Sequence, residues 1–178
     1  MPQTNNMKKA LLTFLPLLIF IVVNAQQPPA APPCKTDPVY RAFDFWIGEW
    51  EAFGAKGKGG DSKISIILDS CVILEEWTSA KQGYAGKSIN AYNRAKKMWQ
   101  QTWVDNMGSV TEYNTSSWEK DKMMVTTDNK QLPNGTWMMQ RMTFTKLSDD
   151  KVRQHGESSA DGGKTWTTSF DLEYRRKK

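Results

Sequence analysis

Histidine occurs once and cysteine twice in 178 residues, and past residue 25 no apolar run is long enough to cross a membrane. Each scarcity excludes something. A lone His155, flanked by Gln154 and Gly156, has no His/Cys/Asp cluster at ligand spacing beside it, so no metal site is expected. Haem bound through His155 is the weaker alternative to a surface strand histidine, and no cofactor is expected. No G-x-S-x-G elbow is present, and a single histidine without a carboxylate partner is no triad. Glu75 and Glu76 are neighbours on opposite faces of a strand and cannot form a glycosidase acid/base pair. No segment keeps a 3.6-residue apolar period, which leaves little room for helix. No repeat of about 20 to 50 residues appears, which argues against a propeller.

The N-terminus supplies the one long apolar run. Lys8 and Lys9 precede Ala10 to Val23, and Val23-Asn24-Ala25 has the small-residue cleavage pattern of a secretory signal peptide. Residues 1–25 are therefore expected to be removed after Ala25, giving a secreted or periplasmic protein with no stable membrane insertion. The remaining 153 residues suit one domain, and 22 basic against 19 acidic residues give a net charge of +3. Only Arg175-Arg176-Lys177-Lys178 clusters charge, too little to indicate a nucleic-acid partner. In an exported chain Cys34 and Cys71 are read as a disulfide.

Residues 26–36 (QQPPAAPPCKT) read as an extended Pro/Ala-rich tether, and 37–178 as a single domain. Asp37 and Pro38 start one or two helical turns within 37–46. From Gly48 onward, short alternating runs predict strands near 48–54, 62–69, 71–79, 84–93, 97–105, 109–118, 122–127, 136–146, 151–158 and 166–176. The turns between them fall at Gly59-Gly60-Asp61, Asn106-Met107-Gly108, Pro133-Asn134-Gly135, Asp149-Asp150 and Asp161-Gly162-Gly163. The fold class is all-β, an antiparallel up-and-down barrel of 8–10 strands with a short N-terminal helical turn; closure removes the sheet edges. A two-sheet sandwich is the competing arrangement.

The segment FDFWIGEWEAF, residues 43–53, concentrates three Phe and two Trp around Gly48. Gly48-Glu49-Trp50 after a helical turn resembles the first signature of the lipocalins and their calycin relatives. That resemblance implies a Gly turning into the barrel and a Trp across its closed end beneath an Arg of the last strand. In FDLEYRR, Phe170, Leu172, Tyr174 and Arg176 share a face, so Arg176 is the candidate for Trp50, with Arg175 the alternative if the register differs. FDFWIGEW with CVILEEW, GKSINAY, WQQTWVD, VRQHGESSADGGKTW and FDLEYRR together resembles an uncharacterised family of secreted bacterial lipocalin-like proteins. The resemblance implies a fold and a compartment and carries no catalytic residues.

Ser159-Ala160-Asp161-Gly162-Gly163-Lys164-Thr165-Trp166 matches the Asp-box pattern, in which Asp161 and Trp166 clasp a hairpin. Gly83 to Ser88 looks like the end of a phosphate loop, but Lys81 stands where that pattern needs Gly. Two strand faces interleave aromatics with hydrogen-bonding groups: Ser88, Asn90 and Tyr92, then Trp99, Gln101, Trp103 and Asp105. Such faces build small-ligand cavities; equally, the Trp pair packs a plain core and the polar groups face water. Glu75 or Trp77, Arg141, and Gln154 or Glu157 complete the candidate lining. The seven methionines after residue 25, several of them clustered, suit an adaptable lining or ordinary core.

The functional expectation is a non-enzymatic binding protein for a small, partly apolar ligand; a fully packed barrel interior, with no cavity above about 300 Å³, would count against it. The alternatives are an isomerase-, cyclase- or hydrolase-type barrel enzyme and a pocketless envelope interaction module. The enzyme needs an inward acid without a charge partner, Glu75, Asp105 or Glu157, beside Tyr92 or Arg141.

Overall fold

Alternating apolar and polar residues become eleven strands in the computed structural model, which describes Met1 and residues 32–178. They are β1 Gly48–Gly54, β2 Gly57–Ile67, β3 Val72–Ser79, β4 Ala85–Asn93, β5 Met98–Asp105, β6 Val110–Glu119, β7 Lys122–Thr127, β8 Lys130–Gln131, β9 Trp137–Ser148, β10 Lys151–Ser159 and β11 Thr167–Arg176. Consecutive strands pair antiparallel from β1 to β7, then β7 with β9, β9 with β10, β10 with β11, and β11 back with β1. Ten strands thus close a lipocalin-like up-and-down barrel, and β8 adds a two-residue ribbon on β9. The expected signal segment, its expected cleavage point after Ala25 and tether residues 26–31 lie outside the described residues.

Two expectations need correction. Pro33–Thr36 forms an α-helical turn, not extended tether, because Cys34 is buried and bonded to Cys71. Gly59-Gly60-Asp61 is strand, not turn: β2 begins at Gly57, and Gly60 pairs with Ala52 and Ser79. The chain reverses instead through Ala55-Lys56.

One end of the barrel is plugged. Asp37 accepts a hydrogen bond from the Val39 amide and starts a 3₁₀ turn, Pro38–Arg41; a second, Asp44–Trp46, follows. These turns carry Phe43 and Trp46 into the barrel end, where both are buried. Trp46 stacks on Phe43, with centroids 5.1 Å apart, and meets Phe144 at 4.5 Å. Trp50 Nε1 donates to Trp46 O at 2.9 Å, and Trp99 Nε1 to Val39 O at 3.2 Å. Such ring pairs contribute about 0.5–1.5 kcal/mol each beyond burial.

Arg176 closes this end. Its guanidinium lies 4.2 Å from the Trp50 ring, and Nη1 donates to Ile47 O at 3.2 Å. Gly48 lies under it with φ +146°, where a Cβ would overlap Nη1. A left-handed turn, Leu68-Asp69-Ser70, joins β2 to β3 beside the helical segment. It is held by the disulfide, by the Lys35–Asp69 ion pair and by Arg41 donating to Ser70 O.

Candidate functional site

Beyond the plug the barrel interior is not full. A cavity of about 260 Å³ occupies the end bearing the β3–β4, β5–β6 and β10–β11 turns. Its floor is Glu75, Gln154 and Tyr174; its walls are Trp77, Tyr84, Trp103, Tyr113 and Phe170, with Met142 and Leu172. Phe170, 39% exposed, brings the cavity to solvent. The volume falls short of about 300 Å³, and six aromatic side chains, Tyr174 of the floor included, line it.

Glycines hold those rings against the wall. A Cβ at Gly60 would overlap the Trp77 ring, one at Gly86 the Trp103 ring, and one at Gly156 the Phe170 ring. Each ring therefore lies flat on a neighbouring strand's backbone, a role only a strand glycine allows. A side chain there would push the ring inward, toward the space a ligand needs.

The floor is polar and carries a hydrogen-bond network, in which Gln101 Oε1 is left without a partner. Ser62 donates to Glu75 Oε1 at 3.0 Å and Ser88 to Oε2 at 2.9 Å. Asn90 donates to Ser88 Oγ, and Gln101 to Asn90 Oδ1 at 2.7 Å. Across the barrel the Tyr174 hydroxyl lies 2.6 Å from Gln154 Oε1 and 3.4 Å from Glu75 Oε1. Among the described residues no Lys, Arg or His lines the cavity. Burial without a counter-charge raises the Glu75 pKa to about 7, against the lowering effect of its three hydroxyl partners. Tyr174 is raised well above the usual tyrosine range by the same burial and by Glu75. Burial pushes Tyr113 up to about 12. Gln154 Nε2 faces only the Met142 thioether, a weak acceptor, at 2.6 Å.

The sequence candidates divide into three groups. Trp77, Trp103 and Gln154 line the cavity. Ser88, Asn90 and Gln101 are buried behind Glu75 and reach the cavity only through it. Tyr92 and Trp99 pack with Tyr40 and Phe43 in the plug and do not line the cavity.

Arg141 is a correction. Met142 takes the inward position on β9, so Arg141 points outward. There it forms a bidentate pair with Glu157, at 2.6 and 2.9 Å, and lies 4.1 Å over the Trp166 ring. Glu157 and His155 share that outer face, 3.7 Å apart, so neither is an interior acid or haem ligand. Asp105 sits at the rim, where Tyr84 donates to it at 3.2 Å and the Met107 and Ser109 amides hold its pKa below the usual range. Glu75 and Trp77, two residues apart, both point inward.

The Asp-box segment clasps the β10–β11 turn. Asp161 accepts from the Lys164 and Thr165 amides and from the Thr165 and Ser159 hydroxyls, which holds its carboxyl well below the usual range. Trp166 Nε1 returns to Gly163 O. Gly83 to Ser88 leads into β4 rather than a helix, which no phosphate loop does.

The binding candidates read from the sequence omit Tyr84, Tyr113 and Leu172, and alternation puts Tyr174 and Phe170 only on a shared face. The available signal was the glycine inside each of three strands, at 60, 86 and 156. Compared with family models and with curated proteins, the chain matches none.

Proposed function

We propose that this protein is an exported, lipocalin-like binding protein that takes a small, partly apolar molecule into the cavity above Glu75. The observation that supports this reading is an aromatic-walled, solvent-connected cavity with a few converging polar groups on its floor, the usual composition of ligand sites. At interior packing density the cavity suits an occupant on the order of ten non-hydrogen atoms. Export with cleavage after Ala25 belongs to the same proposal; the Cys34–Cys71 bond is consistent with an oxidising compartment. Kinship with the secreted bacterial lipocalin-like family rests on the motifs quoted above.

Native mass spectrometry of the protein purified from its own host, before and after mild organic extraction, tests the reading. A discrete released mass supports it. A clean ligand-free mass, with no binding across a panel of small aromatic compounds, overturns it.

One observation favours the enzymatic alternative: an inward acid without a charge partner, hydrogen-bonded to a tyrosine. With its pKa near neutrality, Glu75 suits proton transfer to or from a bound molecule. Incubating the extracted compound with fresh protein separates the two readings. Turnover that Glu75→Gln abolishes marks an enzyme; an unchanged compound marks a binding protein.

A further inference from the structure

The cavity has a charge character that its size and apolarity do not convey. Its floor carries a carboxyl group on β3, wholly buried, with hydroxyl partners from β2, β4 and β11. Among the described residues, the groups that hydrogen-bond to it are neutral: Ser62, Ser88, Tyr174 and, beyond Tyr174, Gln154. A second carboxylate, Asp105, stands at the rim behind Tyr84. Lys56, Lys58 and Lys81 are exposed on the outer rim beside Phe170 and do not reach the cavity lining. A buried carboxylate is normally paired; Glu75 has no cationic partner among the described residues, and it lines the cavity. The walls above it are five aromatic rings, whose faces attract cations.

We propose that the ligand is a monocation, a protonated amine on a small apolar body, with the ammonium group seated between Glu75 and the aromatic walls. This rests on the binding reading above and names the ligand class for it. The ammonium would supply the missing counter-charge, and the Trp77, Trp103 and Phe170 faces would cover the apolar part. The same geometry selects against anions, which would place like charge beside Glu75 in a low-dielectric space. A neutral alcohol of the same shape keeps the apolar contacts and loses only the charge pairing, so it isolates the proposal. Cation binding also requires Glu75 to ionise, so affinity should rise with pH through neutrality.

The test is calorimetric titration of the purified protein with 2-phenylethylamine, 2-phenylethanol and phenylacetate. At about pH 8 the amine should bind at least about tenfold more tightly than the alcohol, and phenylacetate should bind weakest. At about pH 5.5, where Glu75 is protonated, the preference should fall below about twofold. Glu75→Gln should remove it at both pH values, and the wild-type pH comparison decides the matter if that variant does not fold. Equal binding of amine and alcohol, a preference indifferent to pH, or tighter binding of phenylacetate overturns the cation proposal and leaves a binding protein. Failure of all three to bind overturns the cation proposal, while the binding reading stands or falls on the mass measurement above.

Discussion

The Tyr174 hydroxyl lies 3.4 Å from Glu75 Oε1, although 99 residues separate the two. The contact exists because β11 returns to pair with β1 and closes the barrel, bringing the last strand opposite the third. With Tyr174 donating to Gln154 Oε1, a protonated Glu75 can donate in turn to Tyr174 Oη or to Ser62 Oγ. The floor is thus satisfied with Glu75 neutral and strained by an uncompensated charge when it ionises.

That relationship sets a pH dependence. The carboxyl is raised from 4.5 to about 7 in the folded protein, so between those values the folded state binds more protons than the unfolded one. Stability therefore falls as pH rises through this window, by on the order of 3 kcal/mol. Glu75→Gln keeps the shape and lacks the penalty. Urea titrations at about pH 5 and pH 8 should show the wild type weakening with pH relative to the variant; parallel behaviour would refute the assignment.

Gly86→Ala should force the Trp103 ring off the β4 backbone and into the cavity, and its methyl would also meet the Val104 carbonyl oxygen, so Gly156→Ala, which meets the Phe170 ring alone, is the cleaner variant. The expected cost is about 1–3 kcal/mol of stability from overpacking, together with weaker binding of any cavity ligand. Gly156→Ala should act alike through Phe170. Denaturation midpoints and calorimetry on both variants check this, and unchanged values for both would mean the rings are free to move elsewhere.

Removing the disulfide with Cys34→Ser and Cys71→Ser should cost up to about 4 kcal/mol, from a loop spanning 37 residues in the chain-entropy description. The Leu68-Asp69-Ser70 turn, left-handed at three non-glycine positions, should also become the earliest site of hydrogen exchange. A variant that keeps both its stability and its protection there would show that Arg41 and Lys35 hold the turn without the bond.

Arg176→Ala should lose about 0.5–2 kcal/mol of cation–π contact with Trp50, in addition to the hydrogen bonds to Ile47 O and Asp149 O. Arg176→Lys should recover only part of this, since an ammonium cannot lie flat on the ring and reach both carbonyls. Thermal unfolding of the pair measures the difference.

The barrel was legible in the sequence because period-2 alternation survives in almost every strand and because Asn, Asp and Gly mark most reversals. The lipocalin resemblance implied an Arg of the last strand over Trp50, and alternation in FDLEYRR chose Arg176 over Arg175. Arg141 failed for a physical reason: in Met139-Gln140-Arg141-Met142 both parities offer an apolar neighbour, so the pattern does not say which side faces in. Gly59-Gly60-Asp61 misled because glycine normally signals a turn, whereas here Gly60 yields space to the Trp77 ring. The cavity itself was not legible as a set, since Glu75, Tyr113 and Tyr174 meet only once the register of ten strands is fixed.

The plug of Phe43, Trp46 and Trp50 makes the barrel a cup and not a tube. Whatever enters past Phe170 must leave by the same door. Two different molecules cannot pass one another inside, so any second compound acts as a competitor at the rim. If chemistry occurs over Glu75, its product must clear that door before the next molecule enters.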